Sequence, residues 1–466
     1  MCPFSAQRTA QFDALIHSIM EAGQAAGLAA AVTDRQGHIL FEKYYGLRDA
    51  EKNLPIDGDT IFGVASITKS FTALSILQLA EKGLLHLEDP ISRYIPEYAD
   101  PDPDEPVRIW HLLCHSGGFY PQKRILMQDV ARELGFDPAR DGDYAFDPAI
   151  EDRGTRLVAR RMTAQTDRID LPGRAMSYFN DGFALLSHII YQVSGERSFA
   201  DYVKTHICAP LGMTRSSSEF LAPARDPNAA AIYVKGPDGR TTSDNLDNAF
   251  VLNGGGAMKS TLHDMTRYVA MYLGEGQFAG GSRVAAASSV REMIKPRQTN
   301  GYGSYYGFGL MVTPCGGYTL VRHGGSLPGV SSHMAWSYEK ELGVVILCNT
   351  EGVAVAAAAE ALMRLAVGED PEICLPAYDD RPWDDALLAS ACGRYASDEG
   401  AGFAIEAENG RPVVVEEGRR SPLMTIGSRY AVRRGPFGDV NFELLSDETR
   451  GVYAMRQGSR IVKKVQ

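Results

Sequence analysis

Ser66-Ile67-Thr68-Lys69 places a hydroxyl and an amine one helical turn apart at the start of an apolar run. A serine hydroxyl is a weak nucleophile. A lysine within reach can activate it if its ammonium is desolvated or held beside another cation. A helix N-terminus also supplies backbone N–H groups where an oxyanion would form. The spacing alone is common, and a serine opening a helix also serves as an N-cap. Two further sets change the weight of that pattern. Tyr178-Phe179-Asn180 follows Pro172-Gly173 and precedes a helical stretch. A phenol, with an unperturbed pKa of ~10, becomes a base when a neighbouring cation stabilises its phenolate. His323-Gly324-Gly325 lies in a strand-like, glycine-rich region.

In this order the three sets resemble the class C branch of the serine β-lactamase and penicillin-binding-protein-like superfamily of serine hydrolases. The resemblance extends to Asp59-Thr60-Ile61-Phe62, the stretch from Ala65 to Ala73, Gly83 to Ile91, Tyr94-Ile95-Pro96-Glu97, His111 to Gly118, Gly254 to Thr261 and Tyr306 to Leu310. It spans residues 25–365. It implies that Ser66 attacks a carbonyl and forms an acyl-enzyme, with Lys69 and Tyr178 as the proton-transfer pair. Asn180 would hydrogen-bond the substrate or Lys69. The backbone N–H groups of Ser66 and of Ser326, which follows His323, Gly324 and Gly325, would form the oxyanion hole. The resemblance implies an amide or ester substrate, such as a peptide with D-configured residues or a small ester. A β-lactamase or DD-peptidase of cell-wall metabolism is the alternative within the fold; a catalytically inert binding protein is the alternative outside enzymology. His323 stands where the family's β-lactamases commonly carry Lys. With an unperturbed pKa of ~6.5 it is mostly neutral at pH 7, so neutral esters and amides are expected to be preferred over β-lactams with a free carboxylate.

The elements that must position these groups can be read from periodicity. Residues 8–26 are expected to form a helix that Gly27 ends, and 28–33 and 38–45 a hairpin. Residues 66–83 and 109–114 read as helices, as do 181–194, 198–209, 261–274 and 354–366. Short strands separated by glycine-rich turns fill 306–349. Residues 119–171 are rich in Asp, Arg and Pro and read as an insertion of the kind that forms lids. The fold class expected is α/β (α+β): an antiparallel sheet flanked by helices, with a helical part holding Tyr178. This serine hydrolase domain is drawn over 1–368, a linker over 369–385 and a small antiparallel β-barrel over 386–466, where Glu408-Asn409-Gly410 marks a hairpin. The last segment loosely resembles the lipocalin-like barrels appended to D-aminopeptidase-like relatives, which implies a role in shaping the cleft or in assembly.

Composition narrows the partners. A net charge of −11 with only short, separated basic clusters argues against nucleic acid. No apolar run reaches the ~20 residues of a membrane span, and no signal-peptide pattern opens the chain, so a cytoplasmic protein with no membrane partner is expected. The seven cysteines are scattered without a Cys-x-x-Cys spacing, which argues against a disulfide framework or zinc site and fits a reducing compartment. His111 and His115 read as structural. No cofactor and no metal are implied. The expected partner is a small-molecule or peptide substrate; a homo-oligomer is left open.

Overall fold

The protein is described from a computed structural model covering residues 4–123, 135, 148–219, 226–236, 239–243, 253–278, 281–373, 375–400 and 402–465. Helix α1, Ala6–Gly23, starts where the Ser5 hydroxyl accepts the Arg8 N–H, and the chain leaves it through Gln24 at φ 51°. The helix therefore stops before the expected 26, and Gly27 opens a strand instead. The reason is steric: a Cβ on Gly27 would lie 2.4 Å from the Leu47 carbonyl oxygen on the neighbouring strand.

The main sheet takes strands from both ends of its domain. These are β1 (Gly27–Asp34), β2 (Ile39–Asp49), β3 (Leu54–Pro55), β4 (Gln298–Thr299), β5 (Tyr305–Tyr306), β6 (Met311–Cys315), β7 (Tyr318–Leu327), β8 (Val330–Ser337) and β9 (Leu342–Cys348). Their order is β4-β5-β6-β7-β8-β9-β1-β2-β3, every pair antiparallel. Strand alternation sorts the apolar side chains onto two faces. Leu28, Ala30 and Val32 join Val344 and Ile346 in a core with α1 and the helix Val355–Ala366, while Ala29, Ala31, Val345 and Leu347 face the larger core. Burial on both faces explains the near-continuous apolar runs in the central strands.

The helical part holds α2 (Thr68–Glu81), α3 (Ile109–Leu113), α4 (Pro148–Ala164) and α5 (Asn180–Ser194). Residues Thr68 to Leu79 are all buried, so α2 is enclosed on every side rather than amphipathic. Helix α4 corrects the insertion expected over 119–171. Its Val158, Ala159 and Met162 belong to the main core against α5, so this half of the segment is structural. The charged residues around those three apolar positions hid its period. Residues 124–134 and 136–147 of that segment lie outside the described residues.

After Ala366 the described residues of 369–384 form neither helix nor strand. A short helix, Asp385–Ala391, then begins on the Asp384 carboxylate, which accepts the Leu387 N–H at 2.7 Å. Nine antiparallel strands follow: β10 (Gly393–Ala396), β11 (Gly402–Glu408), β12 (Arg411–Glu416), β13 (Arg419–Pro422), β14 (Met424–Ile426), β15 (Tyr430–Arg433), β16 (Val440–Asp447), β17 (Gly451–Gln457) and β18 (Arg460–Lys464). Their order, β13-β12-β11-β10-β18-β17-β16-β15-β14, ends on two strands separated by Leu423 alone, so the sheet curls into a nearly closed barrel. Asn409 and Gly410, both with positive φ, make the tight turn expected of Asn-Gly. Leu388 and Ala391 of the short helix join Tyr395, Phe403, Phe442 and Met455 in the barrel core. That helix falls where strands were expected to begin.

Candidate active site

Ser66 owes its position to a strained turn. Ala65 has φ 47°, a region few non-glycine residues occupy, and the chain passes through a 3-10 turn, Ala65–Ile67, before α2 begins. Hydrogen bonds hold that turn. Ser332 Oγ donates to the Val64 carbonyl at 2.8 Å, and Thr68 Oγ1 donates to the Ala65 carbonyl at 2.6 Å while accepting the Met258 N–H at 3.0 Å. Strand β7 presses against it: a Cβ on Gly325 would lie 2.2 Å from the Val64 carbonyl oxygen. The turn leaves Ser66 half-exposed between the fully buried Ala65 and Ile67. The N-cap position of α2 falls on Ile67, without a side-chain cap. Ser66 is therefore not the capping residue.

Lys69 is fully buried one turn on. Its Nζ donates to Ser66 Oγ at 3.1 Å, to Asn180 Oδ1 at 2.9 Å and to the Gly255 carbonyl at 2.6 Å. Three acceptors match the three protons of an ammonium. The Lys69 charge also sits 4.8 Å from the Tyr178 ring centre and 5.5 Å from that of Phe183.

Tyr178 is wedged on the ring of His115, centroids 4.2 Å apart. Beneath it runs a chain of hydrogen bonds with one consistent direction. The Phe179 N–H donates to His115 Nδ1 at 3.1 Å, which leaves Nε2 protonated to donate to Tyr306 Oη at 3.2 Å. Tyr306 then donates to His323 Nε2 at 2.9 Å, and His323 Nδ1 donates to the Gly324 carbonyl at 2.6 Å. Burial, reinforced by the Lys69 charge, pushes the His323 pKa down to about 3 and holds His115 well below the ordinary imidazole range. His323 is thus a neutral, internally bonded ring and not a second cation. Its strand pairs with β6 only as far as Arg322, so from His323 to Leu327 one edge of β7 has no strand partner among the described residues. Ser326 is exposed on that stretch.

Ser66, Tyr178, Asn180, His323, Gly324, Gly325 and Ser326 all line one cavity of about 680 Å³; Lys69 lies buried behind Ser66. The volume suits a small molecule or the end of a peptide. Glu399, Ser459 and Arg460 of the barrel form part of its wall. Among the described residues no group of three or more His, Cys, Asp or Glu is placed to hold a metal ion.

The family model described as Beta-lactamase matches residues 12–368. The chain belongs to the beta-lactamase family. It is 28% identical to penicillin-binding protein 4* of Bacillus subtilis (strain 168) over 91% of each chain. It is 26% identical to the D-aminopeptidase of Gluconobacter oxydans (strain 621H), over 78% of this chain and 63% of that one, and 26% identical to esterase EstB of Burkholderia gladioli, over 74% and 91%. The octameric penicillin-binding protein homologue from Pyrococcus abyssi superposes with a TM-score of 0.67 at 25% identity, over 98% of this chain and 100% of that one. The protein is accordingly a serine hydrolase with a β-lactamase-type domain and an appended barrel.

Within this beta-lactamase-family site, sequence reasoning missed several contributors. Gly255 holds Lys69 through its backbone carbonyl; its signal was the Gly254-Gly255-Gly256 run. His115 and Tyr306 belonged to runs shared with the family, yet neither motif reveals that they bond to each other. Glu399 and Arg460 carried no signal, because a barrel strand gives no hint of which domain its turns touch.

Proposed function

We propose that Ser66 is the nucleophile of an acyl-transfer reaction on an amide or ester, with water as the final acceptor. Ser66 Oγ bonds to the substrate carbonyl carbon as its proton passes to the Tyr178 phenolate, and Lys69 remains the ammonium that holds Oγ, Asn180 and the phenolate field in place. Tyr178 then protonates the leaving amine or alcohol. In the second half, water attacks the acyl-enzyme, Tyr178 takes its proton, and the acid is released as Ser66 regains a proton. The N–H groups of Ser66 and Ser326 would hold the oxyanion. The observation that carries this reading is the Lys69 ammonium, which bonds Ser66 Oγ and Asn180 at 3.1 and 2.9 Å and lies 4.8 Å from the Tyr178 ring.

The relatives named D-aminopeptidase and esterase support an amide with a D-configured residue or a small ester as substrate. The neutral state of His323 supports a preference for uncharged acyl groups over β-lactams bearing a carboxylate. The relation to penicillin-binding protein 4* supports a second reading, cell-wall peptidase or β-lactamase. Free cysteines at Cys114, Cys208, Cys315, Cys348 and Cys392 support residence in a reducing compartment such as the cytoplasm. No helix among the described residues is long and apolar enough to cross a membrane. The octameric relative supports a homo-oligomer, checked by light scattering on the purified chain.

The test is covalent labelling with a fluorophosphonate, read by intact mass. Wild type should gain one adduct and Ser66→Ala none; an equal adduct on the Ala variant refutes the assignment. A panel of p-nitrophenyl esters, D- and L-aminoacyl anilides and nitrocefin then chooses between the readings. Nitrocefin turned over faster than every neutral ester would favour the β-lactamase.

A further inference from the structure

The turn between β17 and β18 reaches out of the barrel and grips the segment that carries Tyr178. The Tyr178 N–H donates to the Ser459 carbonyl at 2.7 Å, the Ile461 N–H donates to Ser177 Oγ at 3.1 Å, and Arg456 donates to the Met176 carbonyl. Arg456 is itself buried and paired with buried Glu443 at 2.7 Å, which fixes the root of the turn. Between these anchors Arg460 projects into the cavity wall. Its guanidinium carbon lies 5.0 Å from the Tyr178 ring centre, and Glu399 holds it through both carboxylate oxygens. Glu399 Oε1 also accepts Asn180 Nδ2 at 3.4 Å. The pair is mostly shielded, with 28% of the Arg460 side chain and 10% of Glu399 exposed.

We propose that Arg460 is a positioning residue for Tyr178, supplying a second cation beside the phenol, and that Glu399 sets how much of that charge Tyr178 feels. The inference rests on the reading of Tyr178 as the proton-transfer group. An opposite charge within ~4–6 Å favours the ionised form of an acid by roughly one to three pKa units. Among the described residues of the catalytic domain, Lys69 is the cation set over the Tyr178 ring, and it is already committed to three acceptors. The barrel adds the second, so the catalytic domain's site is complete only with the barrel seated. The other titratable groups around Tyr178 differ in kind. His115 and His323 are held neutral by burial, and burial keeps the Tyr306 phenol protonated. Asp181, three residues on, is raised to about 7 by burial, with Arg161 opposing and Glu399 adding to the rise.

The test is the pH profile of kcat/KM on p-nitrophenyl acetate, a neutral ester that offers neither member of the pair a charged partner. It is run in an Asp181→Asn background, so that group cannot titrate. Arg460→Gln should move the acidic limb up by about one pH unit, a loss of about tenfold on that limb. Glu399→Gln should move it down, because it removes an anion and frees the guanidinium. Arg460→Lys should restore the limb to within about half of the Arg460→Gln shift. Limbs that stay in place, or that move the same way in Glu399→Gln and Arg460→Gln, overturn the proposal. So does a change confined to KM, which would make the pair a substrate anchor instead. If Arg460→Gln does not fold, the Glu399→Gln and Arg460→Lys limbs decide. Tyr178→Phe, profiled on the same ester, separates the two levels: unmoved limbs in the Arg460 and Glu399 variants with turnover lost in Tyr178→Phe defeat this inference alone, whereas a Tyr178→Phe that keeps the wild-type rate and acidic limb defeats the underlying assignment.

Discussion

The cavity has two walls of different construction. The inner wall belongs to the catalytic domain: Ser66, Lys69, Tyr178 and the His323–Ser326 edge of β7. There Lys69, His115, Tyr306 and His323 are fixed by buried partners, and the Ala65 turn stores strain that Ser332 and Thr68 hold down. The outer wall is built from two turns of the barrel, one bearing Glu399 and the other leading into Arg460, joined by one ion pair that keeps some contact with solvent. Deep, fully matched networks set geometry, and loss of one member leaves charges stranded. A partly exposed ion pair acts through field strength and is screened. Substitutions on the inner wall should therefore abolish turnover or folding, and those on the outer wall should move pH limbs.

The largest effect that sharpens this contrast is at Tyr178. Tyr178→Phe preserves the stacking on His115 and removes only the hydroxyl. A general acid–base group typically contributes ~10²–10⁴-fold, so kcat on p-nitrophenyl acetate should fall by that order with the thermal midpoint unchanged. A loss below threefold in a stable variant would take proton transfer away from this wall.

Gly325→Ala comes next. Its Cβ would meet the Val64 carbonyl at 2.2 Å and Ser332 Oγ at 2.3 Å. Neither the backbone nor the hydroxyl that braces it can yield without moving the Ala65 turn. Overpacking of this kind costs about 1–3 kcal/mol, and turnover should fall along with stability in urea unfolding. A variant as stable and as active as wild type would mean that the contact between strand and turn is soft.

How much of each wall was legible follows from how the chain encodes it. Ser66, Lys69, Tyr178, Asn180 and the His323 strand are local patterns with local consequences. A hydroxyl and an amine one helical turn apart meet whatever surrounds them, and the short apolar run from Val344 to Leu347 announces a buried strand. The hydrogen-bond direction through His115, Tyr306 and His323 joins three separate elements, so no spacing encodes it. The grip of Ser459 on Tyr178 joins two domains. The helix Pro148–Ala164 was missed because Asp152 and several arginines are interleaved with the three apolar residues that join the core. The helix at Asp385 was missed because seven residues give too little period, although Asp384 three residues before Leu387 was a cap signal.

The buried imidazoles give a smaller effect that separates the walls by pH. Burial, its largest cause in each, lowers His323 and His333 to about 3 and His111 to about 4. In the unfolded chain the same rings bind protons near 6.5. The unfolded state therefore holds more protons between these limits. Stability from these groups is fully present above pH 6.5 and is lost as the pH falls toward 3–4. Each such group steepens the stability slope by up to about 1.4 kcal/mol per pH unit. His323→Gln should remove one proton's share of that slope in urea unfolding between pH 4.5 and 6.5. An unchanged slope would mean that the inner wall admits water to the ring.

Asp181 is buried next to the cavity residue Asn180 and carries a pH effect of opposite sign. It sits in the first turn of α5, beside Asn180, and its Oδ2 has no hydrogen-bond partner among the described residues. Burial raises its pKa to about 7, Arg161 opposes that rise, and Glu399 adds to it from the barrel side. The folded state thus keeps a proton that the unfolded chain releases near 4. Between about pH 4 and 7 stability falls as the pH rises, and above 7 the cost of an ionised buried carboxylate is fully present. Asp181→Asn removes the titration while keeping size and shape. It should leave stability unchanged near pH 4 and raise it at pH 8 by an amount on the order of 4 kcal/mol, the rise from near 4 to about 7 at about 1.4 kcal/mol for each pKa unit. Adding Glu399→Gln should shrink that gain, because the barrel's anion is part of what disfavours the ionised form. If the gain at pH 8 is the same with and without Glu399, the barrel wall does not reach Asp181 electrostatically, and the coupling of the two walls is confined to Arg460 and the turn that carries it.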